Sequence, residues 1–338
     1  MKKVSSPSTQ SPSSLLFAVK AMWQLHVRKR PFVLSHGINA RCNMQCKFCD
    51  YWKQDVSDGS EMSTQEIFDL LDEAYAFGIR IYNAWTTEPL LRKDLPEILR
   101  YARNLGMVTF LITNGKLLES RVDDLCDLDY LSVSVDGISS YEKIRGMEFG
   151  HLLAAIKAAR GKMKNPILLN CVISRLNLDD IEELVHMARE LDVRISFEPL
   201  NESESIDRTV WDEIGIRDVD LDKYRQTVGR IIEMKKEGYP IINSKTYLKM
   251  VRDMKPAYRC HASDMILNVT SDGVIENCRL CRKPLGNVED GIGRVWESSK
   301  DMRREIVEGC DGCLFFGYAE GSLLYDFKPE VILHYEWM

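Results

Sequence analysis

The segment Cys42-Asn43-Met44-Gln45-Cys46-Lys47-Phe48-Cys49 sets the interpretation of the whole chain. Its three cysteines have the spacing C-x3-C-x2-C and come soon after an apolar, partly β-branched run at Phe32–Ile38. Cysteine thiolates are the usual ligands of [4Fe-4S] clusters. Because such a cluster has four irons, three cysteines leave one iron open for a substrate or a cofactor. The alternative is a zinc site, but structural zinc sites usually pair two C-x2-C or histidine-containing units.

This motif resembles the cysteine loop of the radical S-adenosylmethionine (SAM) superfamily. In that family the residue before the third cysteine is usually aromatic, as Phe48 is here. The resemblance implies that Cys42, Cys46 and Cys49 hold a [4Fe-4S] cluster, that the open iron chelates SAM, and that Phe48 lies beside this cofactor. It also implies a flavodoxin- or ferredoxin-type electron donor, cleavage of SAM to a 5′-deoxyadenosyl radical, and hydrogen abstraction from a substrate.

Length and composition limit the class of protein. At about 150 residues per domain, 338 residues predict two domains, or one large domain with an appendage. The net charge of −6 argues against broad binding of nucleic acid. We find neither a signal-peptide pattern nor an apolar run of membrane-spanning length. Clustered cysteines in a cytoplasmic chain predict metal binding rather than disulfides, and oxygen-labile clusters predict an anaerobic setting.

Between residues 32 and 200, short apolar runs alternate with longer amphipathic segments. The predicted strands are Phe32–Ile38, Arg80–Trp85, Val108–Thr113, Tyr130–Asp136, Ile167–Ile173 and Arg194–Leu200. The predicted helices are Ser63–Phe77, Leu95–Leu105, Leu117–Cys126, Gly150–Lys164 and Leu178–Leu191. This alternation predicts an α/β fold of parallel βαβ units, with fewer units than an eight-stranded barrel. The resemblance implies a partial (β/α)6 barrel, TIM-like, with its active site at the carboxyl ends of the strands.

The second and third predicted strands end in residues that resemble SAM-binding turns. Thr86-Thr87-Glu88-Pro89 is similar to the Gly-Gly-Glu-Pro turn of the superfamily, whose backbone and carboxylate hold the methionine ammonium. Two threonines replace two glycines, so the backbone contact differs from the family pattern. The alternative for Glu88 is an acid favoured by the positive end of a helix. Thr113-Asn114-Gly115 is similar to the Thr-Asn-Gly turn that lies near the cofactor.

The fourth predicted strand brings further candidates for cofactor binding. Alternation places Ser132, Ser134 and Asp136 on one face. In the family, a serine at the position of Ser134 hydrogen-bonds the ribose of SAM. The alternative is that these residues only cap the barrel mouth. Lys143-Ile144-Arg145-Gly146 resembles an arginine-containing loop of peptide-modifying and cyclitol-oxidising relatives.

The fifth and sixth predicted strands contribute Asn170, Glu198 and Leu200. These residues would contact the cofactor or the substrate, or they would only be hydrogen-bonded parts of the barrel. Cys126 and Cys171 stand alone in apolar surroundings. An isolated cysteine of this kind is usually a small buried hydrophobe, so we predict that both are buried.

A second group of cysteines lies in residues 259–313. Cys260, Cys278, Cys310 and Cys313 give the pattern C-x17-C, a long gap and C-x2-C, and Met265–Cys278 predicts a β-hairpin with an Asp-Gly turn. This resembles the Twitch domain, the shortened form of the SPASM domain of radical SAM enzymes. The resemblance implies an auxiliary [4Fe-4S] cluster with four cysteine ligands. A structural zinc site is the alternative, because thiolates suit both metals.

Cys281 is left over from this pattern as a substitute ligand, a substrate-side thiol or a buried neighbour. The predicted division of the chain is then a disordered tail at 1–14, an N-terminal helix at 15–31, the barrel at 32–200, a helical bridge at 201–258, the auxiliary domain at 259–313 and an aromatic tail at 314–338. The bridge, with a helix near Leu221–Glu237, would close the side of the barrel. The aromatic tail would dock on the core or line an apolar substrate channel.

The N-terminal helix has an apolar stripe and a basic end at residues 26–30. It would pack on the outside of the barrel, or bind an anionic membrane surface. The function predicted from the resemblance is an oxidation that dehydrogenates a small polar metabolite such as a cyclitol or sugar, or that modifies a peptide. The alternatives are a lipid or isoprenoid substrate at a membrane, and, in another class, a non-catalytic iron–sulfur electron carrier. Polar residues at the strand ends argue against a carrier.

Overall fold

The computed structural model describes residues 14–53, 61–201 and 208–333. Nine strands in these residues form one sheet with the order β6-β5-β4-β3-β2-β1-β7-β8-β9. The strands are β1 Val33–Gly37, β2 Ile81–Trp85, β3 Val108–Thr113, β4 Tyr130–Ser134, β5 Leu168–Ile173, β6 Arg194–Pro199, β7 Ile266–Val269, β8 Val274–Glu276 and β9 Pro284–Asn287. Neighbouring strands from β6 to β7 pair in parallel, whereas β8 and β9 pair antiparallel. The predicted α/β class and partial barrel are confirmed.

Helices follow the parallel strands in turn. They are α1 Ser14–Met22, α2 Thr64–Phe77, α3 Leu95–Leu105, α4 Leu118–Arg121, α5 Tyr141–Arg145, α6 Phe149–Arg160, α7 Ile181–Glu190, α8 Arg208–Ile214, α9 Leu221–Lys236, α10 Lys245–Arg252, α11 Ala262–Met265, α12 Ile292–Ser298, α13 Lys300–Glu308, α14 Phe316–Tyr325 and α15 Pro329–Leu333. Helix α2 shows why such segments form. Ser63 and Glu66 make a reciprocal capping box, and Gly78 ends the helix with a φ of 113°.

The sheet packs its two faces differently. In β3, Thr109 and Leu111 are fully buried on the face that carries the helices, whereas Phe110 and Ile112 point into the barrel. This alternation follows from the period of two along a strand. The helix-facing layer forms the main apolar core, and the inner face is left to line a cavity.

Both edge strands of the six-stranded part of the sheet, β1 and β6, are covered by other segments. Strand β7 pairs with β1, so the C-terminal hairpin extends the barrel sheet. On the other side, Ile241 forms a bridge with Ile195 of β6, and the Asn243 side chain bonds both the N–H and the C=O of Phe197. Residues 241–243 therefore cover the edge of β6, whose backbone groups would otherwise be unpaired.

The aromatic tail closes the gap between β6 and β7. The N–H of Phe316 donates to Glu198 of β6 at 3.0 Å. The Tyr318 hydroxyl lies 3.4 Å from Asn268 of β7 and accepts the N–H of Arg279 at 2.8 Å. The tail thus docks on the core and also lines the barrel interior; its last five residues, 334–338, lie outside the described residues.

Helix α1 begins at Ser14 and continues as a π-helical turn at Trp23–Val27, so the basic residues 28–30 lie beyond it. The rest of the predicted disordered tail, residues 1–13, lies outside the described residues. The Gln24 side chain is buried and bonds the carbonyls of Pro31 and Phe77, which fixes the helix to the barrel. No helix in the described part of the chain combines the length and apolar character needed to cross a membrane.

Two predictions about single cysteines are wrong. Cys126 is exposed, because the predicted helix at Leu117–Cys126 breaks into α4 and a 3-10 turn that ends at Leu125. Cys281 is also exposed, which excludes the buried neighbour that we expected. Cys171 is fully buried in the core, as predicted. Strand β9 was missed as well, since Pro284–Asn287 carries no apolar alternation.

Candidate active site

The cysteine loop after β1 directs hydrogen-bond donors at its sulfurs. The Asn114 amide nitrogen lies 3.7 Å from Cys42 Sγ, and an Arg145 guanidinium nitrogen lies 3.8 Å from Cys46 Sγ. Backbone N–H groups of Met44 and Tyr51 donate to Cys42 and Cys49. The loop is tied to α5 by a bond from the Lys47 N–H to the Ile144 carbonyl.

The thiols of these three cysteines are suited to binding a metal rather than to reacting as free thiolates. Burial raises the pKa of Cys42 and of Cys46, and it raises the pKa of Cys49 to about 11. Ligation by iron removes those protons, and N–H donors around the sulfurs then stabilise the anionic cluster. Within the described ranges no three ligand side chains surround a point suited to a single ion; a [4Fe-4S] cluster takes one thiolate per iron. The donor set fits such a cluster.

Glu88 is the acidic residue of the turn that follows β2. Its carboxylate is fully buried and accepts bonds from the Thr113 hydroxyl and the Asn114 N–H, each at 2.8 Å. It also accepts the N–H of Leu90 at 3.0 Å, so it caps the following 3-10 turn. Burial raises the pKa of Glu88 to about 7. A bound ammonium would lower that pKa, because an opposite charge favours the carboxylate.

The two threonines before Glu88 keep a glycine-like backbone. Thr86 and Thr87 have φ values of 77° and 48°, a region that side chains other than glycine enter at about 1–3 kcal/mol. The Thr87 hydroxyl bonds the Asn39 carbonyl at 3.0 Å, which offsets part of this strain. The Thr86 hydroxyl is buried without a partner, and a Cβ at Gly37 would lie 2.8 Å from it.

Asp136, which we predicted to bind the cofactor, has partners within the protein. It is fully buried, forms an ion pair with Arg145 and accepts the Val172 N–H at 2.7 Å. Its carboxylate is thereby engaged within the protein, and it orients the guanidinium that touches Cys46. Arg145 also lies 5.4 Å from the Phe48 ring. The sequence showed this arginine loop but gave no signal for its contact with the cysteines.

The remaining candidates from the barrel strands are distributed along the inner wall. Ser134 pairs in register with Asn170. The Asn170 amide donates to Glu198 at 3.0 Å and accepts from the Ser196 hydroxyl at 2.7 Å. Leu200 is buried and bonds through its backbone N–H to the Ile173 carbonyl. Asn170 and Glu198 therefore face the cavity, whereas Leu200 supports the strand end.

The four predicted auxiliary cysteines lie near one another. Burial, together with the nearby Cys313, Cys310 and Cys278, raises the pKa of Cys260 to about 11. Burial likewise raises the pKa of Cys278 and of Cys313. The exposed Cys281 is also a near neighbour of Cys278. The structure thus groups the four cysteines chosen from their spacing.

These sulfurs also receive donors. The N–H of Cys281 lies 3.2 Å from Cys278 Sγ, and the N–H of Gly312 lies 3.4 Å from Cys310 Sγ. The Tyr258 hydroxyl lies 3.6 Å from Cys313 Sγ. Such donors suit a cluster, although thiolates in this number also suit zinc.

Known proteins resemble this chain in sequence over part of their length. The sequence profile of the radical SAM superfamily matches residues 38–188. Fe-coproporphyrin III synthase of Methanosarcina barkeri is 31% identical over 244 residues, which are 69% of this chain and 58% of that protein. PqqA peptide cyclase of Rhizobium meliloti is 30% identical over 170 residues, 48% of this chain and 45% of that protein. The chain therefore spans about half the length of the curated relatives it matches.

Solved structures share the fold over most of the chain. Streptococcus suis SuiB bound to the precursor peptide SuiA superposes with a TM-score of 0.66 at 17% identity, covering 87% of this chain and 72% of that one. The protein anSMEcpe with bound AdoMet, which is SAM, gives 0.61 at 18% identity, covering 90% and 98%. The superfamily match includes the cysteine loop and the Glu88 turn. The chain therefore belongs to the radical SAM superfamily of enzymes, with a [4Fe-4S] cluster and SAM as its cofactors.

Proposed function

We propose that this enzyme oxidises a substrate that binds in the barrel cavity, with the C-terminal cysteines holding a second [4Fe-4S] cluster. When bound, SAM and the cluster at Cys42, Cys46 and Cys49 supply a 5′-deoxyadenosyl radical, and the second cluster supplies an electron acceptor. The net reaction is a two-electron oxidation of the substrate. The substrate loses one hydrogen atom to form 5′-deoxyadenosine, one electron to the acceptor and one proton to the protein.

The observation that carries the proposal is the path from the auxiliary cysteines to the cavity. Arg279 directly follows Cys278 and lines the cavity. Phe315 and Phe316 come two and three residues after Cys313 and also line it. Two of the four ligands are therefore joined to the cavity wall through a few covalent bonds, which favours electron transfer from a bound substrate.

The cavity itself has a volume of about 420 Å³. Apolar and aromatic side chains dominate its wall, including the stacked pair Phe110 and Tyr130, whose ring centroids are 4.6 Å apart. Polar side chains stand singly among them, including Asn170 of β5 and Glu198 of β6. This favours a substrate with a larger apolar part than a cyclitol or a sugar has.

Two relatives carry names that agree with such a substrate. PqqA peptide cyclase acts on a peptide, and Fe-coproporphyrin III synthase makes an iron porphyrin. A peptide with an apolar side chain or a porphyrin-like ring would each place apolar surface in the cavity. Of the two predicted reaction classes we therefore propose peptide modification, in place of oxidation of a small polar metabolite, with an apolar ring compound as the other candidate substrate.

Glu198 is the proposed acceptor of the substrate proton. One carboxylate oxygen accepts from Asn170 and the other from the Phe316 N–H, so the group is held in place against the cavity. Burial raises the pKa of Glu198, which makes its carboxylate a better base near neutral pH. Glu198→Gln should then slow product formation while 5′-deoxyadenosine still forms.

The test is anaerobic incubation of the reconstituted enzyme with SAM, a reductant and a peptide or metabolite extract of the cells that encode it. Oxidation predicts a product that is lighter by about 2 Da, formed together with 5′-deoxyadenosine. A Cys260→Ala/Cys278→Ala variant should still make 5′-deoxyadenosine but lose that product, and Cys126→Ala is the matched control. A product of unchanged mass, or one that the double variant still forms, would overturn the oxidation.

Peripheral membrane binding is a second proposal, favoured by the outward face of α1 and the turn after it. The side chains of Leu16, Val19, Trp23 and Val27 are 49–57% exposed, which is unusual for a stripe of this kind. The exposed Phe327 extends the stripe, because its ring centroid lies 4.9 Å from that of His26. Basic side chains at Lys20, Arg28 and Lys29 are exposed nearby. An apolar stripe with basic neighbours complements an anionic lipid surface.

Flotation with phosphatidylcholine vesicles, with and without phosphatidylglycerol, tests this binding. We expect the full chain to float only with the anionic vesicles. The Val19→Asp/Trp23→Asp double variant should remain in the bottom fraction with either vesicle. Val219→Asp removes an exposed apolar side chain elsewhere and should float normally. Absence of flotation, or a concentration-dependent dimer that the double variant abolishes, would contradict the membrane proposal.

A further inference from the structure

We infer that the guanidinium of Arg279 binds a carboxylate group of the substrate at the carboxyl end of the barrel strands. This inference rests on the proposed placement of the substrate in the barrel cavity. It adds to that proposal the chemistry of one part of the substrate, an anionic planar group carried on an apolar body.

The position of Arg279 is fixed on two sides. Its guanidinium carbon lies 3.3 Å from the centre of the Trp85 ring and 5.6 Å from that of Phe315. One guanidinium nitrogen donates to the Ser35 hydroxyl at 2.5 Å. Stacking and this bond hold the planar group against the cavity wall, to which all four side chains belong. A preorganised arginine of this kind is suited to recognition of a planar anion.

Most of the donors of Arg279 are unused. Among the residues that the structure describes, no carboxylate forms an ion pair with it, and its side chain makes one hydrogen bond, to Ser35. Its Nε is buried and has no hydrogen-bond partner. An arginine has five N–H donors, and a buried donor that is left without an acceptor is unfavourable.

Glu198 does not supply the missing charge. It lines the same cavity and its two oxygens accept from Asn170 and from the Phe316 N–H, but it forms no ion pair with Arg279. Its charge acts on Arg279 only from a distance, and burial raises the pKa of Glu198 itself. Among the described residues of its wall, the cavity thus carries a cation that no carboxylate pairs with, and a carboxylate on a bound ligand would supply that partner.

The location agrees with a role at the reacting end of the cavity. Arg279 stacks on Trp85, the last residue of β2, and the next residues along the chain are the Thr86-Thr87-Glu88 turn. Arg194, the other arginine of the cavity wall, is the first residue of β6 and so belongs to the opposite end of the strands. A substrate anchored by Arg279 therefore has its carboxylate near the SAM-binding turn and its apolar body toward Phe110 and Tyr130.

A carboxylate fits this site better than a phosphate. One guanidinium makes two parallel bonds with a carboxylate and balances its single charge. A phosphate monoester carries nearly two charges at neutral pH. The end of the cavity at Trp85 offers it no second arginine or lysine among the described lining residues.

The test measures binding by calorimetry, anaerobically, on the reconstituted enzyme with SAM. The probes are 3-phenylpropionate, its uncharged amide and 2-phenylethyl phosphate. We expect wild type to bind the carboxylate about ten-fold more tightly than the amide, as one charge-assisted pair would give, and more tightly than the phosphate. Arg279→Gln should bind carboxylate and amide equally, whereas Arg304→Gln, an exposed arginine in α13, should keep the preference.

Equal binding of carboxylate and amide by wild type would overturn the inference, as would a preference that survives in Arg279→Gln. Tighter binding of the phosphate would overturn the carboxylate assignment. If Arg279→Gln unfolds at a lower temperature, Arg279→Lys supplies the second test, because it keeps the charge and should keep part of the preference. Binding does not involve electron transfer, so this result is separate from the presence or absence of the second cluster.

Discussion

The guanidinium of Arg145 lies 3.8 Å from the sulfur of Cys46 and forms a buried ion pair with Asp136 on its other side. Neither residue of the pair is open to solvent. The cysteine loop is therefore held beside a fixed positive charge, and that charge is held by an aspartate from the end of β4. This arrangement links the stability of the barrel to the electrostatics of the cluster.

Removing the positive charge of Arg145 should lower both the stability of the protein and the reduction potential of the first cluster. In Arg145→Met the buried carboxylate of Asp136 loses its partner, so the free energy of unfolding should fall by about 3–5 kcal/mol. The reduction potential of the first cluster should also fall, because the reduced cluster is more negative and loses a nearby cation. Denaturant unfolding and potentiometric EPR measure the two effects. Asp136→Asn/Arg145→Met is the control that should recover part of the stability; a single variant with unchanged stability and potential would contradict the role of the pair.

SAM binding should depend on pH through Glu88. Below its pKa of about 7 the carboxylate carries a proton that must leave when an ammonium binds. The affinity for SAM should therefore fall by about ten-fold per pH unit below pH 7, and level off above it. In the SAM-free protein the sign is opposite: burial of the charged form makes this group's contribution to stability fall as the pH rises through 7.

Calorimetric titrations with SAM at pH 6, 7 and 8 would measure the dependence. Glu88→Gln keeps an oxygen acceptor for Thr113 and removes the titration, so its weaker binding should not vary across this range. A wild-type affinity that is the same at pH 6 and pH 8 would show that Glu88 does not bind the ammonium.

The two left-handed threonines should respond differently to glycine. Thr86→Gly removes strain and a buried hydroxyl without a partner, and should raise the free energy of unfolding by about 1 kcal/mol. Thr87→Gly removes similar strain but also the bond to Asn39, so the two effects should cancel to within about 1 kcal/mol. Urea unfolding of the cluster-free proteins compares them. A Thr86→Gly protein less stable than the Thr87→Gly protein would reverse the assignment.

The sequence predicts the elements that local patterns control. The six barrel strands agree with their predictions to within two residues at each end, because buried parallel strands read as short apolar runs between helices. The predicted hairpin at the Asp272-Gly273 turn is also present. A local signal again explains it, since Gly273 adopts the positive φ of 84° that this turn requires. The four cysteines chosen from spacing and resemblance lie near one another, and their binding of a cluster stays a prediction.

Contacts between distant segments were not predictable in the same way. The pair of Arg279 with Ser35 joins residues 244 positions apart, and that of Arg145 with Cys46 joins residues 99 positions apart. Cys126 was predicted to be buried because its local surroundings are apolar, but the exposure of a residue after α4 depends on where the helix breaks. One available signal was missed: Arg279 directly follows a predicted ligand, Cys278.

The central claim is that the C-terminal cysteines hold a second cluster, and an iron count tests it most directly. After anaerobic reconstitution, a Cys42→Ala/Cys46→Ala/Cys49→Ala protein should retain about four irons with the Mössbauer spectrum of a [4Fe-4S] cluster, and wild type should hold about eight. Retention of zinc instead of iron, or of no metal at all, in the triple variant would contradict the account.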